Sequence, residues 1–206
     1  MNSLSYAETT FIKDGIASDF RGDGRGRFDY RTFQVDLGTI SQASGSARVQ
    51  LDTTDVLIGI KAEIGNVDPE TPLVGKVVCN VECCPSASQA FEGRGAQELN
   101  NELTETIQRI LCQDAALNME KLCILPGRLC WTLFIDALVL DNGGNLLDCI
   151  MLGIRAALSD TKIPQINIVM TEGAPDIELC QDQYTFVDIS NVPVTVTLNQ
   201  VICKLT

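Results

Sequence analysis

Asp141-Asn142-Gly143-Gly144-Asn145-Leu146, followed by Asp148, stands where an apolar run passes into a helix-spaced one. Asn and Gly accept the positive φ that a sharp reversal requires, so the segment reads as a turn. A Gly-rich turn opening a helix presents bare backbone N–H groups and the positive end of the helix dipole, which is chemistry suited to phosphate. The side chains that would complete such a site are missing locally. Asn145 and Leu146 carry no positive charge, and Asp148 in the first turn repels phosphate. This is the scaffold of an anion site without its charge.

Other groups that could do chemistry are few. Asp136 and Asp148 flank the turn and suggest paired carboxylates for a metal. The plainer expectation is that Asp136 satisfies a polar neighbour within a sheet and that Asp148 caps its helix. The chain holds nine cysteines and no histidine. Without histidine there is no Ser-His-Asp triad, no Cys-His dyad and no imidazole base. Cys79, Cys83 and Cys84 lie close in sequence, but with neither a CxxC pair nor a histidine they do not make a zinc site. We therefore expect no metal and no cofactor. Most cysteines sit in apolar runs, where a free thiol behaves as a small hydrophobe. An odd number of them, with no signal peptide and no membrane-length apolar run, suggests reduced thiols in a cytosolic or nuclear protein.

Charge narrows the field further. Fifteen basic residues against 27 acidic ones give a net charge of -12. That balance argues against autonomous, sequence-blind nucleic-acid binding, which depends on counterion release by Lys and Arg. The densest positive patch is the Gly-rich loop Arg21-Gly22-Asp23-Gly24-Arg25-Gly26-Arg27, with Arg31 close behind. Hydrophobic residues make up 45% and charged residues 20% of the chain, enough apolar content for a real core.

The elements that must position these groups follow from periodicity. Residues 1–20 read as a short helical or extended lead-in. Phe33-Val35-Leu37 and Ala47-Val49-Leu51 alternate as strands and residues 55–62 read as another, giving an antiparallel meander over 30–65. A strand is expected at Lys76–Val81, a Ser/Gly-containing connection at 85–96, and an amphipathic helix at Glu98–Cys112 with Leu99, Leu103, Ile107, Ile110 and Leu111 on one face. Leu122–Leu125 is a short strand. Trp131–Leu140, nearly all apolar, is expected to be a strand covered on both faces. Leu147, Ile150, Met151, Ile154, Ala157 and Leu158 recur at helical spacing after the turn. Residues 171–183 are acidic and turn-rich, and Phe186–Ile189 with Val194–Leu198 reads as a hairpin. The order of elements suggests α+β or mixed α/β.

Taken in order, several motifs resemble the RNase PH family. They are Arg21-Gly22-Asp23-Gly24-Arg25, Gly45-Ser46-Ala47 followed by Thr54-Asp55-Val56-Leu57, Phe91-Glu92-Gly93-Arg94-Gly95, the helix around Arg109, and the segment 130–158. The resemblance covers about residues 8–200 and is strongest to the exosome ring subunit of the ribosomal RNA-processing protein 42 type, in which the turn from Asp141 to Asp148 is the expected pattern. It implies an α+β, RNase PH-like fold (ribosomal protein S5 domain 2-like), a mixed sheet with packed helices. It also implies that a C-terminal part is missing, since the family continues beyond Val194–Leu198 and the tail Val201–Thr206 fits its pattern poorly. The whole chain, 1–206, is then one domain: a lead-in and basic loop over 1–30, the main fold over 31–170 and a partial second sheet over 171–206.

The same resemblance implies a function. Catalytic members carry Gly-Thr-Arg or Gly-Ser-Arg at the helix start, where the arginine and hydroxyl hold the attacking phosphate. Here Gly144, Asn145 and Leu146 take those places, a degenerate phosphate site, and charge stabilisation is usually the largest catalytic contribution. The metal-binding aspartates of active members lie beyond the end of this chain. The expectation is a non-catalytic structural subunit of the exosome ring, supporting 3′-to-5′ RNA processing and degradation in the nucleus, nucleolus and cytoplasm. Its partners would be a ribosomal RNA-processing protein 41-like neighbour, the other ring subunits, the cap subunits and RNA in the channel, with no membrane. The alternatives are an active phosphorolytic exoribonuclease and a truncated form that does not assemble. Arg109, Arg94 and Arg25 are the candidate RNA contacts. Against them stand an Arg109–Glu105 pair on a solvated face and neutralisation of the loop arginines by nearby carboxylates.

Overall fold

The computed structural model describes residues 5–112, 116–171 and 174–199. Tyr6–Ala17 forms helix α1, started by a reciprocal capping box in which Ser5 and Glu8 satisfy each other's backbone N–H. Strands β1 (Phe33–Leu37), β2 (Gly45–Leu51) and β3 (Thr54–Asn66) make the antiparallel meander read from the sequence. Asp52 takes a left-handed φ of 56° in the tight β2–β3 reversal. β4 (Lys76–Cys83) is followed by two 3₁₀ turns, Pro85–Ala87 and Gln89–Phe91, and by helix α2 (Gln97–Leu111). β5 (Cys123–Leu125) and β6 (Leu129–Asp141) precede helix α3 (Leu146–Asp160). β7 (Lys162–Thr171) and β8 (Ala174–Phe186) come last.

The main sheet runs β1-β2-β3-β6-β4, with β5 also paired to β6. β4 joins β6 in parallel and the other pairs are antiparallel, so the sheet is mixed as expected. Ala47, Val49 and Leu51, Val56, Ile58 and Ile60, and Leu133, Ile135, Ala137 and Val139 alternate onto one face, where Cys149, Ile150, Met151, Ile154, Ala157 and Leu158 of α3 close the core. Contact is close at Gly153, where an added Cβ would lie 2.7 Å from Ile58 Cγ1. In an open helix Gly→Ala gains about 1 kcal/mol of propensity. Here overpacking costs about 1–3 kcal/mol, so Gly153→Ala is expected to lower the melting temperature. A raised melting temperature would show that α3 can ride up without loss.

The structure departs from the periodicity reading in three places. β6 is not covered on both faces: Phe134 and Asp136 are exposed and Leu138 and Leu140 half-buried, because α3 packs on the other face. Thr171 and residues 174–183 do not form a turn region but belong to the long β7–β8 ladder, in which Lys162 stands opposite Phe186 and Thr171 opposite Ala174. The expected hairpin of 186–189 with 194–198 does not form. Phe186 ends β8, and 187–199 carries a turn at Ser190–Asn191 but no strand, forming a strap. Local turn residues lost to strand pairing in one case, and a side-chain anchor replaced a ladder in the other. The tail 201–206 lies outside the described residues.

α2 does more than cover the core. Leu103, Ile107 and Leu111 are buried, while Asn100, Thr104 and Gln108 on an adjoining stripe reach the free edge of β4. Asn100 Oδ1 accepts from the Cys83 N–H at 3.2 Å, Thr104 Oγ1 from Val81 at 3.0 Å and Gln108 Oε1 from Cys79 at 2.8 Å. Gln108 Nε2 returns a bond to the Val77 carbonyl at 2.6 Å. The outward N–H groups of alternate β4 residues are thereby closed, one device by which a sheet edge is protected from other strands.

Candidate functional site

The turn between β6 and α3 is built from four distant parts of the chain. Gly144 has φ 87° and Asn145 φ 59°, so the reversal uses left-handed backbone at two successive residues. Gly143 has no room for a side chain, since a Cβ would fall 1.9 Å from Thr53 Oγ1. Thr54 Oγ1 accepts from the Gly143 N–H at 3.1 Å and donates to the Gly144 carbonyl at 2.8 Å. Arg31 donates to the Gly143 and Gly144 carbonyls at 3.2 and 2.9 Å. A cation does reach this turn, therefore, but from 112 residues away in sequence, and its guanidinium is engaged by backbone carbonyls.

Asp148, only 2% exposed, does not cap the helix in the expected way. Its carboxylate accepts from Asn145 Nδ2 at 2.7 Å, from the Thr197 N–H at 2.7 Å and from the Thr197 hydroxyl at 3.0 Å. Burial pushes this carboxyl up, but the donors from Asn145 and Thr197 outweigh burial and hold it below its ordinary value. Tyr30, about half exposed, is pushed up first by its partial burial and next by the Asp148 charge. The strap is further tied down by Val192, which is buried and whose carbonyl accepts from Arg155. Where an anion would sit at a helix start, the protein places its own carboxylate and holds a strap with it.

The other candidates are not brought together. Asp136 is exposed on the sheet face away from α3, in register with Gly59 and Asn80; its side chain makes no hydrogen bond or ion pair among the described residues, and it forms no pair with Asp148. Arg25 is engaged by Asp23 at 2.6 Å, Arg21 shares the same carboxylate at 2.8 Å, and Arg27 pairs with Asp19 at 3.3 Å. The two arginines on Asp23 hold its carboxyl far below the usual range. Arg94 and Arg109 are exposed at opposite ends of α2, separated by the helix length of roughly 20 Å. Arg109 and Glu105 form no ion pair. Among the described residues no three His, Cys, Asp or Glu side chains cluster as a metal site. Sequence reading missed Thr54, Thr197 and the true role of Arg31, because nothing in local spacing links residues 49 to 113 positions apart.

The 3′ exoribonuclease family, domain 1, known as RNase PH, matches residues 29–164. The chain belongs to the RNase PH family. Within it, the Rrp42 exosome component of Thermococcus kodakarensis is 41% identical over 88% of this chain and 65% of its own length. That of Pyrococcus furiosus is 39% identical over 93% and 68%. A chain of the Archaeoglobus fulgidus exosome with RNA bound to its active site superposes with a TM-score of 0.68, at 36% identity over 76% of this chain and 63% of that one. The present chain thus spans about two thirds of the length of these archaeal relatives. The RNase PH fold, a mixed sheet with packed helices, is the one inferred from the motifs, and the Rrp42 likeness is the subtype inferred from the turn.

Proposed function

We propose that the chain is a non-catalytic, structural subunit of an exosome ring, supporting 3′-to-5′ RNA processing and degradation. The observation that carries this reading is the helix start at Asn145–Asp148. No hydroxyl–arginine pair is there to receive phosphate, and the Asp148 carboxylate already takes donors from Asn145 and Thr197. A phosphate placed there would meet a buried like charge, which costs several kcal/mol in a low-dielectric site.

The N-terminal arm supports an architectural role. No residue of α1 is buried, and Tyr6, Phe11, Phe20, Phe28, Tyr30 and Phe33 are all exposed. Over residues 5–32 five basic side chains (Lys13, Arg21, Arg25, Arg27, Arg31) balance five acidic ones (Glu8, Asp14, Asp19, Asp23, Asp29). A neutral, aromatic arm on an acidic body is the composition of a surface that can be desolvated against a partner. The partners in this reading are a ribosomal RNA-processing protein 41-like neighbour, the other ring subunits and the cap, with RNA passing through the channel. Of the three candidate arginines, Arg94 and Arg109, exposed just before and near the end of α2, are more available to RNA than Arg25, which Asp23 holds. The nucleus, nucleolus and cytoplasm are the compartments that go with this function.

The test is an assay of the purified chain with single-stranded RNA and inorganic phosphate. No nucleoside diphosphate is expected above background. Phosphate-dependent release that disappears on mutating Asn145 or Asp148 would overturn the reading. Failure of the chain to co-purify with its ring neighbour would remove the architectural role.

A further inference from the structure

Two cysteines face each other across the β5–β6 pair. The antiparallel pairing sets Cys123 opposite Cys130 and, after a one-residue register shift, Leu125 opposite Leu129. Direct cross-strand partners lie on one face with Cβ atoms about 4.5–5.5 Å apart. A disulfide spans Cβ atoms about 3.5–4.5 Å apart, so a strand shift of roughly an ångström suffices to join these thiols. In the strand registers of the described residues, no other cysteine stands opposite a cysteine.

Access is unequal in a useful way. Cys130 is 1% exposed, whereas Cys123 is half-buried. Cys123 also lines a cavity of about 360 Å³ walled by Trp131, Leu122, Ile163 and Phe186, beside the Lys121–Asp188 pair. A small oxidant entering this cavity meets Cys123, which lines it, and not Cys130, its cross-strand partner on β6. Burial pushes the Cys79 and Cys149 thiols up to about 12, the Cys83 thiol up to about 11 and the Cys130 thiol upward as well, so that these four stay protonated and Cys130 is suited to the second, resolving step rather than to the attack on peroxide.

We propose that Cys123 and Cys130 form a peroxide-responsive dithiol, an oxidative modification site at the floor of this cavity. The Cys123 thiolate attacks hydrogen peroxide: an S–O bond forms, the O–O bond breaks and hydroxide leaves. The Cys130 sulfur then attacks the sulfenic sulfur of Cys123: an S–S bond forms, the S–O bond breaks, and the thiol proton leaves with that oxygen as water. Two electrons pass from the sulfurs to the peroxide, and a dithiol reductant reverses the process. The bridge fastens the short strand β5 to β6 and draws the Cys123 sulfur out of the cavity.

The site is tested on the whole chain. The protein is treated with a small excess of hydrogen peroxide, denatured, alkylated without reduction and digested with trypsin. Cleavage after Lys121 and Arg128 puts the two cysteines on separate peptides, 122–128 and 129–155. The expected product is these two joined through Cys130 with Cys149 alkylated, and it vanishes on reduction. Cys123→Ser abolishes it, and Cys130→Ser leaves a sulfenic acid at Cys123 that dimedone traps. A bridge through other cysteines, no bridge with Cys123 fully alkylated, or over-oxidation of Cys123 in the unaltered chain each overturns the proposal.

Discussion

Replacing Asp148 with alanine should lower the stability of the chain by about 3 kcal/mol, a fall in melting temperature of roughly 6–12 °C for a domain of this size. Three donors converge on this carboxylate, two of them from Thr197, and the change strands all three. Hydrogen bonds to a charged group contribute about 1.5–3 kcal/mol each, and they do not add fully because they share one acceptor. The loss should appear first in the strap, with new protease cleavage between 187 and 199 before the sheet unfolds. Asp148→Asn keeps the shape but turns a donor toward donors, so it should retain only part of the difference. A melting temperature within about a degree of the unaltered chain would separate the strap from this carboxylate.

The same group predicts a pH dependence whose sign is set by its lowered pKa. A carboxyl held below its unfolded value contributes stability that is complete above the unfolded value, about 3.9. That contribution is lost as pH falls through the folded value. Melting curves of the unaltered chain and Asp148→Asn should therefore lie furthest apart near neutral pH and converge as acid protonates Asp148. A gap that stays constant down to pH 2–3 would place the effect in packing rather than charge.

The second large effect is expected at the outer edge of β4. The combined change of Asn100, Thr104 and Gln108 to alanine removes every α2 side chain bonded to that strand's N–H groups. Each N–H left unpaired costs about 1–3 kcal/mol where water is excluded. Half-buried donors recover part of that from solvent, so about 3 kcal/mol in total is expected. Helix propensity works the other way, since alanine is a better helix former than Asn or Thr. A net fall in melting temperature thus reports the edge bonds. Aggregation should rise as well, because an open strand edge templates pairing with other chains. Glu102→Ala, an exposed change on the same helix, serves as control, and equal melting of the two variants would show that the edge needs no cover.

Periodicity carried much of the fold. Period-2 alternation placed β1 and β2, apolar runs placed β3 and β4, the 3.6-residue spacing placed α2 and α3, and Asn-Gly chemistry placed the turn at Asp141–Gly144. These signals are written in neighbouring residues, because the backbone conformation they encode is local. The motif order carried the family as well. What the sequence could not disclose is where a side chain finds a partner across 50 or 100 residues. The turn-like 174–183 became a strand because β7 lay ready to pair with it. The strand-like 194–198 did not, because Asp148 took the Thr197 N–H that a ladder would have used. Sequence alone determined that neither Asn145 nor Leu146 brings a hydroxyl or a positive charge to the helix start. Only the tertiary structure decided what gathers there: Arg31 on the turn's carbonyls and Asp148 on the strap. Long-range hydrogen bonds depend on how whole elements pack, which no stretch of sequence records by itself.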